Sequence, residues 1–241
     1  MELSPDSSVF WRWGAIVLNA TIVYTWLVMA LLVVASWLVT RKLSTETSLS
    51  RSQNMLETIV TLMRRQIGEL IGNRPDALLP FIGTLFLFIS VSNFLAIVPG
   101  YEPPTGSLST TAALALCVFV AVPTYGIRQQ GLIGYLKYYT EPVVFMLPFK
   151  VISEISRTVA LAVRLFGNIM SGGLIIAIML SVVPFFVPIA LHALELLIGQ
   201  IQAYIFAVLA TVYIASAARI RSEEEQTGVG ERDQEAESKE Q

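Results

Sequence analysis

Apolar residues dominate five segments of the chain, and each segment is long enough, at roughly 20 residues or more, to cross a bilayer as a helix. Polar stretches separate the segments, and proline-containing stretches at 99–104 and 184–188 mark two of the turns. The pattern therefore predicts an all-α, polytopic membrane protein with one membrane domain over residues 1–217. The five predicted spans cover about 14–40, 78–98, 108–127, 150–183 and 189–217.

The amino-acid composition supports the membrane assignment. Hydrophobic residues make up 54 % of the 241 residues and charged residues only 14 %, against about 25 % charged residues in an average soluble domain. An acidic tail, residues 218–241, is expected to be cytoplasmic and disordered. The chain has one His and one Cys and lacks a glycine-rich phosphate loop. We therefore expect it to bind no cofactor, no metal and no nucleic acid.

The orientation follows from the positions of lysine and arginine. Of the 16 basic residues, 13 fall within 41–76, 128–150 and 219–241, whereas Arg12 precedes the first span. The positive-inside rule places the three basic regions in the cytoplasm. Five spans then put the N-terminus outside and the C-terminus in the cytoplasm. The bacterial inner membrane is the expected location, and the thylakoid membrane is the alternative.

Residues 55–71 alternate polar and apolar positions at helical spacing. The pattern predicts an amphipathic helix, which lies at the membrane surface, against a partner, or as a connector on its own protein. Seven apolar residues fall near one face: Leu56, Ile59, Leu62, Met63, Ile67, Leu70 and Ile71.

Polar and charged side chains interrupt the last two apolar segments. An Arg at bilayer depth costs at least about 2.5–3.5 kcal/mol, so we expect a function for it. At about 100° per residue, the polar positions of each segment fall on one helical stripe. The stripe of the fourth segment holds Glu154, Arg157, Arg164, Asn168 and Ser171, and that of the fifth holds His192, Glu195, Gly199, Gln202, Phe206 and Tyr213.

The two stripes suggest a polar seam between two antiparallel helices. Arg164 is a fixed positive charge because a guanidinium does not deprotonate in proteins. Glu195, His192 and Glu154 can exchange protons, whereas amides such as Gln202 can hold water. Purely structural roles stay open: Glu154 can pair with Arg157, His192 can be a core histidine, and Gln202 can merely bridge helices.

Strings within these segments resemble subunit a of the rotary ATP synthases. Residues 154–168 read Glu-Ile-Ser-Arg-Thr-Val-Ala-Leu-Ala-Val-Arg-Leu-Phe-Gly-Asn, the family's hallmark. Residues 201–214 read Ile-Gln-Ala-Tyr-Ile-Phe-Ala-Val-Leu-Ala-Thr-Val-Tyr-Ile and resemble its last helix. The string that begins at Asn93, Asn-Phe-Leu-Ala-Ile-Val-Pro-Gly, resembles a middle helix.

The resemblance implies a stator that conducts H⁺ or Na⁺ through two offset half-channels. Ion flow past a ring of c subunits is then coupled to ATP synthesis or hydrolysis in the catalytic head. The two long C-terminal helices are expected to be tilted and packed against the c-ring. The implied partners are the c-ring, the peripheral-stalk b subunits, the other ATP synthase subunits and the lipid bilayer. The chain itself is expected to be non-catalytic, with no nucleotide site.

The resemblance also assigns residues. The family's essential arginine falls on Arg164, and its helix-bridging asparagine and glutamine fall on Asn168 and Gln202. The family often has an acid where this chain has Gly173 and a His where it has Glu195, so the acid is moved to the opposite helix. The candidate ion-translocation residues are Arg164, Asn168, Glu195, Gln202, His192, Glu154 and Ser171.

Two other classes of function stay open at this point. A stand-alone secondary transporter would use Arg164 to bind an anionic substrate. A non-conducting membrane scaffold would tolerate loss of the Arg164 charge.

Overall fold

A computed structural model describes residues 9–13, 16–41, 51–71, 75–98, 100–140, 147–183 and 186–218. Five helices in these ranges are long and apolar enough to cross a bilayer, so the prediction of an all-α, polytopic membrane protein is confirmed. The acidic tail beyond residue 218 lies outside the described residues. The helices are α1 Ala20–Thr40, α2 Arg51–Ile71, α3 Leu79–Phe94, α4 Leu108–Thr140, α5 Leu147–Val182 and α6 Phe186–Ala218.

Two short antiparallel strands precede the first helix. Strand β1 covers Val9–Trp13 and β2 covers Ile16–Asn19, with Trp13 paired to Ile16. Their sequences are rich in the β-branched and aromatic residues that favour extended backbone. The predicted start of the first span at residue 14 is therefore wrong, because α1 begins only at Ala20.

The connection between α3 and α4 is built from two 3₁₀ turns, Leu95–Ile97 and Pro104–Gly106. Helix α4 then continues to Thr140, well beyond the predicted end at residue 127. It is interrupted at Gly131, whose φ of +76° belongs to the left-handed region that glycine adopts without a steric penalty. Much of the predicted polar connection over 128–149 is therefore helical.

The core of the bundle is built around α6, which packs against α3, α4 and α5. Residues such as Ile89 and Phe206 are fully buried there. Helix α6 contributes several buried alanines, and small side chains of this kind let helices approach closely. The alanines are Ala203, Ala207, Ala210, Ala215 and Ala217.

Helix α1 lies at the edge of the bundle and packs on α3. Its Val28 is fully buried, but large apolar side chains such as Trp26 and Val33 are mostly exposed. Exposed apolar side chains all along a helix of this length are what a lipid environment requires.

Helix α2 packs against α3 and α6 through the apolar face that the sequence predicted. Ile67 is 3 % exposed and belongs to the main core, whereas Leu62 is 61 % exposed. A largely apolar cavity of about 320 Å³ lies between the three helices. Of the predicted arrangements, the contacts of Ile67 favour a connector that packs on its own protein.

Helices α5 and α6 are both longer than a bilayer requires. They contain 36 and 33 residues, which at 1.5 Å per residue gives about 54 and 50 Å. The hydrocarbon core of a bilayer is only about 30 Å thick. Both helices must therefore tilt steeply or project beyond the hydrocarbon core.

Candidate functional site

The polar stripe of α5 follows the edge of that helix's buried face. Leu161, Leu165 and Ile169 are buried against the neighbouring helices. Arg164 lies off this face and is exposed in the isolated chain. The predicted seam buried between α5 and α6 is therefore only partly present, because the Arg164 side of the stripe faces outward.

A hydrogen bond joins the two stripes at one point. The Asn168 Nδ2 donates to the Gln202 Oε1 at 2.6 Å, so the helix-bridging contact that the resemblance implied is present. Gln202 is 2 % exposed, and among the described residues its Nε2 has no hydrogen-bond acceptor. A buried N–H without an acceptor costs about 1–3 kcal/mol, which favours a water or a group of another subunit at this position.

The Glu195 side chain packs directly on α5. A Cβ placed on Gly172 would lie 2.8 Å from the Glu195 Oε1 and 3.2 Å from its Cγ. Glycine at residue 172 therefore leaves the space that the carboxyl group occupies. The His192 Nδ1 lies 3.7 Å from the Glu195 Oε2 on the same helix.

A small cavity opens beside this carboxyl group, and we call it the Glu195 cavity. Its volume is about 30 Å³, which is enough for about two water molecules. Helices α3, α5 and α6 and the α3–α4 connection all contribute to its walls. Its polar side chains are Asn93, His192 and Glu195.

Substitution of Gly172 by alanine tests this packing. The added methyl group would displace the Glu195 carboxyl group, and overpacking of this kind costs about 1–3 kcal/mol. We expect ion transport, the activity that the resemblance implies, to fall about fivefold or more, since 1–3 kcal/mol corresponds to roughly 5- to 150-fold in rate. Gly173→Ala is the matched control, because nothing lies within 4 Å of its Cβ position. Equal losses in both variants would contradict the assigned packing.

A second cavity lies near the start of α5 and the end of α6, and we call it the Glu154 cavity. Its volume is about 120 Å³. The guanidinium carbon of Arg157 lies 5.4 Å from the centre of the Tyr213 ring, a cation–π distance. This contact ties Arg157 to α6. The polar and charged side chains that line this cavity are Lys150, Ser153, Glu154, Arg157, Thr158, Tyr213 and Ser216.

Arg164 lies between the two cavities along α5. Glu154 precedes it by ten residues and Gly172 follows it by eight, which corresponds to about 15 and 12 Å along the helix axis. The two cavities have no lining residue in common. An exposed fixed charge therefore separates two polar cavities on one long helix.

The structure distributes the predicted site residues over these three places. Glu195 and His192 line the first cavity, Glu154 lines the second, and Asn168 and Gln202 bridge the helices between them. Ser171 is exposed and its Oγ donates to the Asn168 carbonyl. The candidate ion-translocation residues did not include Asn93, Gly172 or Tyr213, although Tyr213 had been placed on the stripe of the fifth segment. A polar residue in an apolar span was the available signal for Asn93.

Metal coordination has no support in this arrangement. Within the described ranges, no group of three or more His, Cys, Asp and Glu side chains is placed to hold a metal ion.

The family model described as ATP synthase A chain matches residues 22–215. The chain belongs to the ATP synthase A chain family. It is 58 % identical to ATP synthase subunit a 2 of Acaryochloris marina over 94 % of this chain and 97 % of the relative. It is 59 % identical to ATP synthase subunit a of Albidiferax ferrireducens over 95 % of this chain and 99 % of the relative.

A third relative, ATP synthase subunit a 1 of Chlorobaculum parvum, is 58 % identical over 92 % of this chain and 98 % of its own length. Membership in the ATP synthase A chain family confirms the resemblance inferred from residues 154–168 and 201–214. It gives no support to the alternative of a stand-alone transporter. As a member of this family the chain is a multi-pass membrane protein with other ATP synthase subunits as partners.

Proposed function

We propose that this chain is the ion-conducting stator of a rotary ATP synthase, with Arg164 as the charge that separates two half-channels. The observation that carries the proposal is the position of Arg164, exposed between two unconnected polar cavities on α5. Its exposed face is free for a second protein. A ring of c subunits that carries a carboxyl group at this depth is the partner that fits a fixed positive charge.

In the proposed path, the Glu195 cavity forms one half-channel and the Glu154 cavity forms the other. Glu195 and His192 can pass an ion toward the seam, and Asn168 and Gln202 lie between them and Arg164 along the bundle. Glu154 can take the ion on the opposite side, where Lys150 and Arg157 line the same cavity. The two half-channels are offset along α5, so an ion crosses only by travelling with the ring.

Arg164 couples the movement of the ring to the release of the ion. A ring carboxylate that has bound an ion is neutral and can face lipid at low cost. When it reaches Arg164, the adjacent positive charge favours the ionised form, which releases the ion into the exit half-channel. The same charge repels cations and prevents direct leakage between the half-channels. Each ion supplies about 2.3 kcal/mol per 100 mV of membrane potential, so several ions must pass per ATP.

The finer assignments belong to the same proposal. The partners are the c-ring and the peripheral-stalk b subunits, and the ATP chemistry occurs in the catalytic head. The location is the bacterial inner membrane, with the N-terminus outside and the C-terminus in the cytoplasm, as the basic residues indicate.

Reconstitution tests the proposed function. The complex is assembled in membrane vesicles, and ATP-driven ion uptake is followed in Na⁺-free and in Na⁺-containing media. We expect co-purification with a small apolar ring protein and ion uptake that requires ATP. Ion flux through the isolated chain without ATP would contradict the stator role, and dependence on Na⁺ would identify the transported ion.

A further inference from the structure

Four residues join α3 to α6 through buried and half-buried polar contacts, and we call them the α3–α6 clamp: Ser90, Asn93, Gly199 and Gln200. The Asn93 Nδ2 donates to the Gly199 carbonyl at 2.8 Å. The Asn93 Oδ1 accepts from the Thr105 Oγ1 at 2.8 Å. Asn93 is 3 % exposed and Thr105 is fully buried. One amide therefore ties α3 to α6 and to the α3–α4 connection.

The second half of the clamp is a pair of hydrogen bonds in opposite directions between Ser90 and Gln200. The Ser90 Oγ donates to the Gln200 Oε1, and the Gln200 Nε2 donates to the Ser90 carbonyl at 3.0 Å. Paired donors and acceptors fix both the rotation and the axial position of a helix, because a shift of either kind leaves them unpaired. In an apolar setting such unpaired groups are costly.

Close packing at Gly199 completes the clamp. A Cβ at this residue would lie 3.1 Å from the Asn93 Cβ and 3.2 Å from its Nδ2. The α6 backbone at Gly199 therefore lies so close to the Asn93 side chain that a larger residue at this position would have to displace it.

The clamp lies next to the Glu195 cavity. Glu195 precedes Gly199 by four residues, so the two lie on the same side of α6 and about 6 Å apart along its axis. Asn93 itself lines the cavity. A rotation of α6 would move the Glu195 carboxyl group away from the space over Gly172.

We propose that Asn93, Ser90 and Gln200 are positioning residues that fix the rotation of α6 and thereby hold Glu195 over Gly172. This inference rests on the proposed function for its effect on ion transport, but the positional claim stands on the contacts alone. The clamp acts through α6 and does not itself exchange ions. On the same stripe of α6, the Asn168–Gln202 hydrogen bond ties the helix to α5.

Cysteine cross-linking tests the positional claim directly. A sulfur at residue 195 takes about the position of the Glu195 Cγ, 3.2 Å from the Cβ position of residue 172. The double variant Gly172→Cys, Glu195→Cys is therefore expected to form a disulfide under mild oxidation. The exposed Cys117 is first replaced by serine. The full chain is used, assembled in its complex.

The clamp is then weakened in this background by Asn93→Ala, by Gln200→Leu, or by both. We expect the rate of disulfide formation to fall roughly tenfold in the double clamp variant, since each change leaves a buried partner unpaired. Thr211→Val is the matched control, because the buried Thr211 hydroxyl donates only within α6, to the Ala207 carbonyl at 2.8 Å. An unchanged rate in the double clamp variant, or an equal loss in the control, would overturn the proposal.

A transport measurement separates this proposal from the proposed function. With Glu195 in place, we expect the clamp variants to shift the ion concentration that gives half-maximal uptake, whereas Thr211→Val leaves it unchanged. Ser90→Thr retains the hydroxyl group and should behave more nearly as wild type than Ser90→Ala. Slower cross-linking with unaltered transport would uphold the clamp and contradict the role of Glu195 in the proposed path.

Discussion

Replacement of Arg164 by alanine is expected to abolish ATP-driven ion uptake while the complex still assembles. Alanine leaves no fixed charge between the Glu195 and Glu154 cavities, so nothing forces the ring carboxylate to release its ion. The same change opens a direct path for cations, and we therefore also expect a passive leak under an imposed ion gradient. Both effects are measured in vesicles, the first with ATP and the second without it.

Two variants sharpen the Arg164 experiment. Arg164→Lys keeps the positive charge but replaces the planar guanidinium, with its several N–H donors, by an ammonium group that can deprotonate in apolar surroundings. We therefore expect uptake well below wild type. Arg64→Gln is the control, because Arg64 lies on α2, is exposed and pairs with Asp76 at 2.7 Å, away from the seam. Uptake near the wild-type level in Arg164→Ala would exclude the stator mechanism.

Replacement of Glu195 by glutamine is expected to reduce ion uptake at least about a hundredfold, the lower end of what a positioned proton-transfer group contributes. Glutamine has nearly the same shape, so the packing on Gly172 is kept while the titratable group is lost. The measurement is again ATP-driven uptake, with complex assembly checked in parallel.

The choice of control for Glu195 follows from the structure. Glu102 is an exposed carboxylate in the connection between α3 and α4, and Glu102→Gln should leave uptake near wild type. A His192→Gln variant compares the two groups that share the cavity. If Glu195→Gln transports normally and His192→Gln does not, the histidine is the ion-passing group.

Much of the fold could be predicted because long hydrophobic segments predict membrane-spanning helices. All five spans were found, and the amphipathic face of α2 was identified from its spacing. The ends of the elements were less predictable. The strands before Ala20 and the extension of α4 to Thr140 depend on local backbone preferences that an apolar run does not reveal.

Candidate residues could be picked out where one residue is chemically out of place in an apolar helix, as for Arg164 and Glu195, whose roles in ion transport stay a prediction. Contacts between distant parts of the chain could not be predicted. Asn93 and Gly199 are 106 residues apart, and nothing local in either segment indicates their pairing. The position of Arg157 over the Tyr213 ring was not predictable either, since spacing on one helix says nothing about a ring on the next.

The outward-facing guanidinium of Arg164 has a consequence for how the complex is made. Without its ring, the chain presents a permanent charge to hydrocarbon, at a cost of at least about 2.5–3.5 kcal/mol. In the proposed complex, a carboxylate of the ring covers this charge and removes the penalty. The subunit without its ring would therefore be less stable in the membrane than the assembled one, which favours a biogenesis order in which the ring forms first.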